Sequence, residues 1–376
     1  MNNDFNIQMV DLTGQYERLK AEIAPAVDRV ITGGRYINGS EVHRFSEALE
    51  QYLDVRHVVT CGNGTDALQA ALMALDLQPG DEVISSSFSF VASVEAVVLL
   101  GLKPVLVDVN PHTYNIDPKA LKEAITDRTR AVIPVHLFGQ GAAMDEIMHI
   151  AREHELYVIE DAAQSLGAEY AMADGPKKLG TIGDIGCTSF FPTKNLGCYG
   201  DGGACFTNDD ALAEKLRMIV NHGARKKYFN ERVGMNSRLD TIQAAVLGAK
   251  LNHLDDFISR RQKAAEIYLR ELKDVPFLVL PQKSEEAYHT FNQFTVKVTG
   301  GRRDALKQYL KENGIPSMVY YPSPLHHQPV FAPYLKEGVV LPVSEEVSRQ
   351  VLSLPMHTEL TEEELIYISQ KIKQFS

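Results

Sequence analysis

Residues 81–90, 102–109, 131–136 and 157–166 read DEVISSSFSF, LKPVLVDV, AVIPVH and YVIEDAAQSL, and each segment contains a short apolar run. Amphipathic helical patterns separate them at about 93–100, 118–125 and 144–154. Short apolar strands that alternate with such helices predict a mostly parallel sheet covered on both faces. In sheets of this kind a ligand binds outside the carboxyl ends of the strands.

A single lysine stands between an apolar run and a glycine-rich turn further along the chain. Residues 186–203 read GCTSFFPTKNLGCYGDGG, with Lys194 directly after the apolar part. Burial disfavours the charged form of a lysine and leaves an amine able to form a Schiff base. Pyridoxal phosphate is the cofactor that uses such a lysine. A surface lysine beside a tight turn is the alternative interpretation.

Two strand ends offer the other groups that this cofactor needs. Residues 58–72 read VVTCGNGTDALQAAL, a strand, a Gly-x-Gly-Thr turn and a helix, where free N–H groups and the positive helix end face an anion. The same residues also occur as plain helix caps. Asp161 ends an apolar strand and can pair with a pyridinium N–H, or can be a helix N-cap. Phe90 can stack on a flat ring or belong to the core.

Three further segments suit a ligand, each with a plainer alternative. The glycine-rich segment 32–39 is either a loop over a ligand or an ordinary interhelical connection. The basic segment 225–238 can meet diphosphate or carboxylate groups, or can be a solvated loop. Tyr320 and Tyr321 can border a pocket or form a packed aromatic edge.

Composition limits the class of protein. The chain has 376 residues, 44% of them hydrophobic and 23% charged, which is ordinary for a soluble globular protein with room for two domains. We expect a cytoplasmic protein, since residues 1–6 lack a signal-peptide pattern and no stretch has about 18 apolar residues. The net charge of −11 argues against binding to nucleic acid or to acidic membranes. The four cysteines lack metal-ligand spacing and are expected to be reduced, buried and metal-free.

Two domains are predicted, a large one over 1–250 that includes the N-terminal segment and a small α/β one over 251–376. In the N-terminal segment, an extended run at Ile7–Val10 precedes a helical pattern through Val30. The small domain is expected to contain a strand at 293–298, a helix at 304–312 and a final helix from about Glu362.

The order of these features resembles one known family. The Gly-x-Gly-Thr turn, Asp161 with Gln164, Ser189 five residues before Lys194, and GMNSRLD at 234–240 follow one another along the chain. Together they resemble the sugar aminotransferases of the DegT/DnrJ/EryC1/StrS family over nearly the whole chain. The resemblance implies an α/β fold of the aspartate-aminotransferase type, fold type I of the pyridoxal-phosphate enzymes, with pyridoxal 5′-phosphate as the cofactor.

The resemblance also implies a role for each candidate residue. Lys194 would hold the cofactor and shuttle a proton at the substrate carbon, and Asp161 would pair with the pyridinium nitrogen. The other cofactor contacts would be Gln164 at the ring hydroxyl, Phe90 on the ring face, Gly64, Thr65, Asp66 and Ser189 at the phosphate, and Asn236 at the phosphate of the neighbouring subunit. Contacts to the sugar nucleotide would come from Gly34, Tyr36, Tyr320 and Tyr321, with Arg238 contributed by the other subunit of a homodimer.

Several stretches are similar to family members that act on a UDP-linked 2-acetamido-2-deoxy-3-oxo-glucuronate, with glutamate as the amino donor. They are Cys61–Asp66, Thr113–Asn115, Ser189–Pro192, Cys198–Gly203 and Leu352–His357. An arginine such as Arg238 can pair with a uronate carboxylate. The pair Tyr320-Tyr321 also resembles the aminotransferases of dTDP-3-oxo-6-deoxyhexoses, so that substrate is the alternative.

Other classes of function are disfavoured. A cofactor-binding regulator without turnover is possible on the same fold, but the lysine, aspartate and phosphate loop are all present. Sugar dehydratases similar to this family carry a histidine where this chain has Lys194. An oxidoreductase is disfavoured because no GxGxxG fingerprint follows a predicted strand.

Overall fold

A computed structural model describes residues 5–375. The helices of this part of the chain are α1 (Leu12–Gly33), α2 (Ser40–Leu53), α3 (Gly64–Ala74), α4 (Ala92–Leu99), α5 (Pro118–Ala124), α6 (Met144–Glu153), α7 (Asp210–Ile219), α8 (Thr241–Leu251), α9 (Leu254–Leu272), α10 (Arg303–Glu312), α11 (Pro342–Gln350) and α12 (Glu362–Gln374). The strands are β1 (His57–Cys61), β2 (Glu82–Ser86), β3 (Lys103–Val107), β4 (Thr129–Ile133), β5 (Tyr157–Asp161), β6 (Glu169–Met172), β7 (Gly175–Lys178), β8 (Ile185–Ser189), β9 (Gly203–Thr207), β10 (Ala224–Lys226), β11 (Phe229–Asn230), β12 (Leu278–Val279), β13 (Phe294–Val298) and β14 (Val351–Leu354).

The largest sheet has seven strands in the order β1-β9-β8-β5-β4-β2-β3. Strands β3, β2, β4, β5 and β8 pair in parallel, whereas β9 is antiparallel to both of its neighbours. Strand β1 therefore runs in the same direction as the parallel set, so the carboxyl ends of β1, β2, β4, β5 and β8 meet at one edge. The predicted mostly parallel α/β sheet is confirmed.

Apolar side chains alternate between the two faces of this sheet. Val83 and Ile159 belong to a buried cluster with residues of α3, α4 and α7. Their neighbours Ile84 and Val158 belong to a second cluster with residues of α5 and α6. Continuous apolar strands are therefore explained by helices on both faces, as expected for a buried parallel sheet.

A separate three-stranded antiparallel sheet, in the order β12-β13-β14, organises the C-terminal part. Its core includes residues of α9, α10 and α12 and also Ile7 from the N-terminal segment. Helix α9 contributes to two cores, because Phe257 packs with α1, α2 and α8 while Ala265 packs with the C-terminal sheet. A domain division at residue 250 stays a prediction.

Two local expectations in the N-terminal part are corrected in their details by the structure. Ile7–Val10 forms no strand, since this segment packs as irregular chain against the C-terminal core. Helix α1 continues to Gly33, so only 34–39 is a loop; Gly34 ends the helix with a left-handed backbone, φ 65°. Glycine adopts that conformation at no steric cost.

Two predictions from composition can be compared with the structure. All four cysteines are buried and none is disulfide-bonded. Among residues 5–375, no helix is both long enough and apolar enough to cross a membrane.

Candidate active site

A cavity of about 650 Å³ opens at the carboxyl edge of the large sheet. Ten of the residues predicted from the sequence line it, namely Gly64, Thr65, Asp66, Phe90, Asp161, Gln164, Ser189, Lys194, Tyr320 and Tyr321. The first eight end or follow strands of the large sheet, and the two tyrosines come from the C-terminal part. The structure therefore brings residues that are up to 257 positions apart, from Gly64 to Tyr321, around one cavity.

Lys194 lies in a tight turn after β8. Its backbone N–H donates to the Phe191 carbonyl at 2.9 Å. A side chain at Gly197 would collide with the Pro192 carbonyl, so the turn requires glycine there. Lys250 on α8 is only 1% exposed. Its Nζ donates a hydrogen bond to the Gly197 carbonyl at 2.8 Å and so stabilises the turn.

The lysine amine is partly desolvated. Protein atoms surround it at the cavity wall, and this burial lowers the pKa of Lys194 to about 8, although the charge of Asp161 acts in the opposite direction. A larger neutral fraction at physiological pH makes the amine a better nucleophile than an ordinary surface lysine.

Asp161 ends β5 and is buried, with 7% exposure. Burial raises the pKa of its carboxyl, while the Ala163 N–H, Lys194 and His136 lower it in part. Its Oδ1 accepts a hydrogen bond from the Ala163 N–H at 3.1 Å. Residues 162–168, which follow Asp161, form turns and no helix, so Asp161 is not a helix N-cap.

A buried pair behind Asp161 was not predicted from the sequence. Glu160 and His136 are both fully buried, and His136 Nε2 lies 2.9 Å from Glu160 Oε2. The His136 backbone N–H also donates to the Asp161 carbonyl at 3.0 Å. The position of Glu160 next to Asp161 indicates that a strand ends there. No sequence pattern predicts that Glu160 contacts His136.

Gln164 and two aromatic side chains form the next part of the wall. Gln164 Oε1 accepts from the Phe138 N–H at 2.7 Å, which directs its Nε2 toward the Tyr321 hydroxyl at 3.2 Å. Phe90 is 54% exposed and therefore is not a core residue. Its ring centroid lies 6.2 Å from that of Tyr321, so the two rings flank the cavity without stacking on each other.

The opposite end of the cavity is the N-terminus of α3. Asn63 caps this helix by accepting from the Asp66 N–H at 2.8 Å. A Cβ atom on Gly64 would lie 2.8 Å from the Ser189 Cβ, so the loop approaches β8 closely only with glycine. Such a turn presents backbone N–H groups to an anion.

Ser237 supports that loop and was not among the predicted site residues. Its buried hydroxyl donates to Asp66 Oδ2 at 2.6 Å and accepts from the Gly62 N–H at 2.8 Å. The only signal in the sequence is its place in the GMNSRLD segment. We assign it a positioning role, because it touches the loop rather than the cavity.

Four predicted residues do not line this cavity: Gly34, Tyr36, Asn236 and Arg238. The two segments that carry them meet next to these residues, because Ile37 pairs with Asp240 and the Thr241 N–H donates to the Tyr36 carbonyl at 2.9 Å. Arg238 lines a second cavity of about 520 Å³ in this region.

The residues of the first cavity fit pyridoxal 5′-phosphate. The cofactor is a flat ring with a protonatable nitrogen at one end and a phosphate at the other. The cavity offers a buried carboxylate in Asp161, a helix N-terminus at Gly64 and a reactive amine in Lys194. It is also lined by Ser89, whose buried hydroxyl has no hydrogen-bond partner among residues 5–375. The lining of the cavity thus includes donors and acceptors that are complementary to the groups of the cofactor.

Comparisons with known proteins identify the family to which the chain belongs. The chain is 47% identical over 373 residues to a Geobacillus stearothermophilus protein named pleiotropic regulatory protein, covering 98% of each chain. It is 46% identical to the UDP-2-acetamido-2-deoxy-3-oxo-D-glucuronate aminotransferase of Pseudomonas aeruginosa, covering 93% of this chain and 95% of that one. Further relatives at 40–41% identity are named as transaminases of dTDP-linked and UDP-linked amino sugars.

The solved structures agree as well. Streptomyces venezuelae DesV, solved with a ketimine intermediate, superposes with a TM-score of 0.94 at 40% identity and covers 98% of both chains. Its similarity confirms the predicted fold of the pyridoxal-phosphate aminotransferases. The sequence model of the DegT/DnrJ/EryC1/StrS aminotransferase family matches residues 17–373. This protein therefore belongs to the DegT/DnrJ/EryC1/StrS aminotransferase family and is a pyridoxal-phosphate-dependent sugar aminotransferase.

Proposed function

We propose that the chain transfers an amino group from L-glutamate to a UDP-linked 2-acetamido-2-deoxy-3-oxo-glucuronate, in the synthesis of a bacterial surface polysaccharide. The observation that carries the reaction type is the amine of Lys194 in the same cavity as the buried Asp161. The observation that carries the substrate is the 46% identity to the Pseudomonas aeruginosa enzyme. A cytoplasmic location is part of the same proposal.

In this proposal each residue has a defined task. The cofactor, when bound, supplies an electron sink that makes a proton on the adjacent substrate carbon removable. Lys194 Nζ takes that proton and returns it, a task suited to an amine with a pKa of about 8. Asp161 would hold the ring nitrogen of the cofactor in its positive form, and the Nε2 of Gln164, whose amide is fixed by the Phe138 N–H, would donate to the ring hydroxyl.

The remaining contacts hold the cofactor and the sugar in place. Gly64, Thr65, Asp66 and Ser189 would bind the phosphate, and Phe90 would cover one face of the ring. Tyr320 and Tyr321 border the space left for the sugar. Their rings and the Phe90 ring exclude water from the reacting atoms, which strengthens the electrostatic contacts there.

A second candidate substrate is a dTDP-linked 3-oxo-6-deoxyhexose. Support for it comes from the 40% identity to the Streptomyces venezuelae transaminase of a dTDP-linked trideoxyglucose. An aromatic border made by Tyr320 and Tyr321 also suits a sugar that carries a methyl group instead of a carboxylate.

An absorbance experiment separates these reactions. Glutamate should remove the yellow band of the lysine-bound cofactor, and only the correct 3-oxo sugar nucleotide should restore it. Lys194→Ala should abolish turnover, whereas Lys263→Ala, at an exposed position on α9, should retain it. Full transaminase activity in Lys194→Ala would contradict the proposal, and restoration by the dTDP-linked sugar alone would select the second substrate.

We also propose that the active unit is a homodimer with shared sites. Asn236 and Arg238 lie outside the Lys194 cavity of their own chain, on a surface that also carries exposed Tyr36 and Ile37. Large apolar side chains exposed together are typical of an interface. In a two-fold dimer such a surface can complete the partner's cavity.

Mixed dimers test this arrangement. Each mixed dimer of Lys194→Ala and Asn236→Ala chains would contain one site with both residues intact. Random association of equal amounts should then restore about a quarter of the wild-type sites. If each site belonged to one chain, mixing would restore no activity above that of the separate variants.

A further inference from the structure

Three metal-ligating side chains meet away from the Lys194 cavity. His326 and His327 lie in a 3₁₀ turn at Leu325–His327, and Glu345 lies in the first turn of α11. Their ligand atoms all lie within 4.8 Å of one another. Nothing in the aminotransferase reaction proposed above uses these three residues.

The distances between the donor atoms suit a small divalent cation. Glu345 Oε1 lies 3.3 Å from His326 Nε2 and 3.7 Å from His327 Nε2. Bonds of about 2.0–2.2 Å in a tetrahedral zinc site place neighbouring donor atoms roughly 3.3–3.6 Å apart. The two distances to Glu345 therefore need an adjustment of only a few tenths of an ångström, and the two histidine nitrogens, which lie within 4.8 Å of each other, approach as the ion binds.

Ser87 orients the first of these ligands. Its Oγ lies 2.7 Å from His326 Nδ1. It also accepts a hydrogen bond from the His326 backbone N–H at 3.3 Å. When the ring carries its proton on Nδ1 and donates it to Ser87, Nε2 is left free for a metal. A metal-ligating histidine commonly donates its other ring N–H in this way.

Asp108 fixes the other side of the cluster. Its carboxylate accepts from the backbone N–H groups of Val343 and Ser344 at 2.9 and 2.7 Å, and from the Ser344 hydroxyl at 2.7 Å. These bonds anchor the first turn of α11 to the residue that follows β3. Asp108 therefore fixes the backbone of the turn that carries Glu345, although Asp108 itself is not one of the three ligands.

Access and charge also favour a cation. The His326 side chain is only 1% exposed, whereas that of His327 is 49% exposed, so the cluster has a buried floor and an open side. The open side leaves a coordination position for water. The nearest competing cation is Arg349, whose Nη1 lies 3.9 Å from Glu345 Oε2 rather than from the Oε1 that faces the histidines.

We propose that His326, His327 and Glu345 bind one divalent transition-metal ion of the zinc class, with water as the fourth ligand. Imidazole and carboxylate ligands suit zinc and cobalt(II) in a tetrahedral site. The ion would link the 3₁₀ turn and α11 to Ser87, three residues before Phe90 in the Lys194 cavity. No sequence pattern predicts this site, because Glu345 is 18 positions beyond His327.

Cobalt(II) provides a direct test, since tetrahedral cobalt has intense visible absorption. The cofactor-loaded enzyme is freed of metal with a chelator and then titrated with cobalt(II) in the presence and absence of competing zinc. We expect one tetrahedral site per chain, displaced by zinc. His327→Ala and Glu345→Gln should each weaken binding at least tenfold.

Matched controls exclude folding and cofactor effects. His154→Ala removes an exposed imidazole elsewhere and should leave the cobalt spectrum unchanged. The cofactor band is recorded for every variant, so that loss of metal binding is read only from chains that still hold cofactor. Equal cobalt binding by the wild type, His327→Ala and Glu345→Gln would overturn the proposal, and so would an octahedral spectrum with no zinc competition. Transaminase activity is not the readout, so failure here leaves the proposed function untouched.

Discussion

Replacing Glu160 by glutamine tests the buried support behind Asp161. Glu160 Oε1 accepts from the N–H groups of Ile182 and Gly183, both at 2.7 Å. Its Oε2 accepts from the Gly180 N–H at 2.8 Å and faces His136 Nε2 at 2.9 Å. Burial raises the pKa of Glu160, but His136 and the backbone N–H groups outweigh it and hold the pKa below its usual value. Glu160 is thus a buried carboxylate with four donors.

A glutamine side chain can accept at only one of these two positions. Its NH₂ group would face two of the four donors in either orientation. His136 cannot relieve this by changing tautomer, because its Nδ1 already accepts from the Ala142 N–H at 3.1 Å. At least two buried donors therefore lose their acceptors, each at a cost of about 1–3 kcal/mol. The free energy of unfolding should fall by roughly 2–6 kcal/mol, a large part of the 5–15 kcal/mol typical of folded domains.

Urea unfolding followed by circular dichroism, at a fixed cofactor concentration, measures this loss. The control is Glu285→Gln, which makes the same chemical change at an exposed position and should shift the free energy of unfolding by less than about 0.5 kcal/mol. A loss below about 1 kcal/mol in Glu160→Gln would refute the reasoning, because it would mean that the two donors find other acceptors.

Two further substitutions test residues that position the site. Ser237→Ala should weaken cofactor binding about tenfold, because the Gly62 N–H and Asp66 lose a shared partner; unchanged retention of cofactor during dialysis would contradict this. Burial lowers the pKa of Lys250 to about 8, so its charged form is disfavoured in the fold. The folded chain then binds fewer protons than the unfolded chain between about pH 8 and pH 10.5, and stability should rise with pH there. Relative to Lys250→Met, the cofactor-free wild type should gain up to about 3 kcal/mol across that window; parallel pH profiles would contradict it.

The sequence predicts those parts of the site that depend on local pattern. Strand-ending residues such as Asp161 and the turn at Gly64 are visible because a run of apolar residues stops beside them, and parallel strands bring their carboxyl ends to one edge. Lys194 is visible because a single lysine separates an apolar run from a glycine-rich turn. These predictions need no knowledge of which side chains meet across the fold.

Contacts between distant segments could not be predicted in this way. Lys250 lies on an apolar helix, and its bond to the Gly197 carbonyl depends on how α8 packs under the turn. Ser237 meets Asp66 across 171 positions of sequence. The hydrophobic periodicity of either segment does not predict these contacts, because tertiary packing determines which residues meet.

Burial acts on Lys194 and Asp161 in opposite directions, and this links cofactor binding to stability. It lowers the pKa of the lysine and raises that of the aspartate, so water exclusion favours the neutral form of both groups. The attraction between the two charges opposes these pKa shifts but does not cancel them. In the proposed function a bound cofactor would bond to the lysine amine and would give the aspartate a cationic partner, so both desolvation costs should fall together. Binding to the folded chain alone then raises its stability by mass action, and the cofactor-loaded enzyme should unfold at a higher temperature than the cofactor-free enzyme. The increase should be smaller in Asp161→Asn, which lacks the charge that the ring nitrogen would meet; an equal increase in both proteins would show that Asp161 does not pair with the ring.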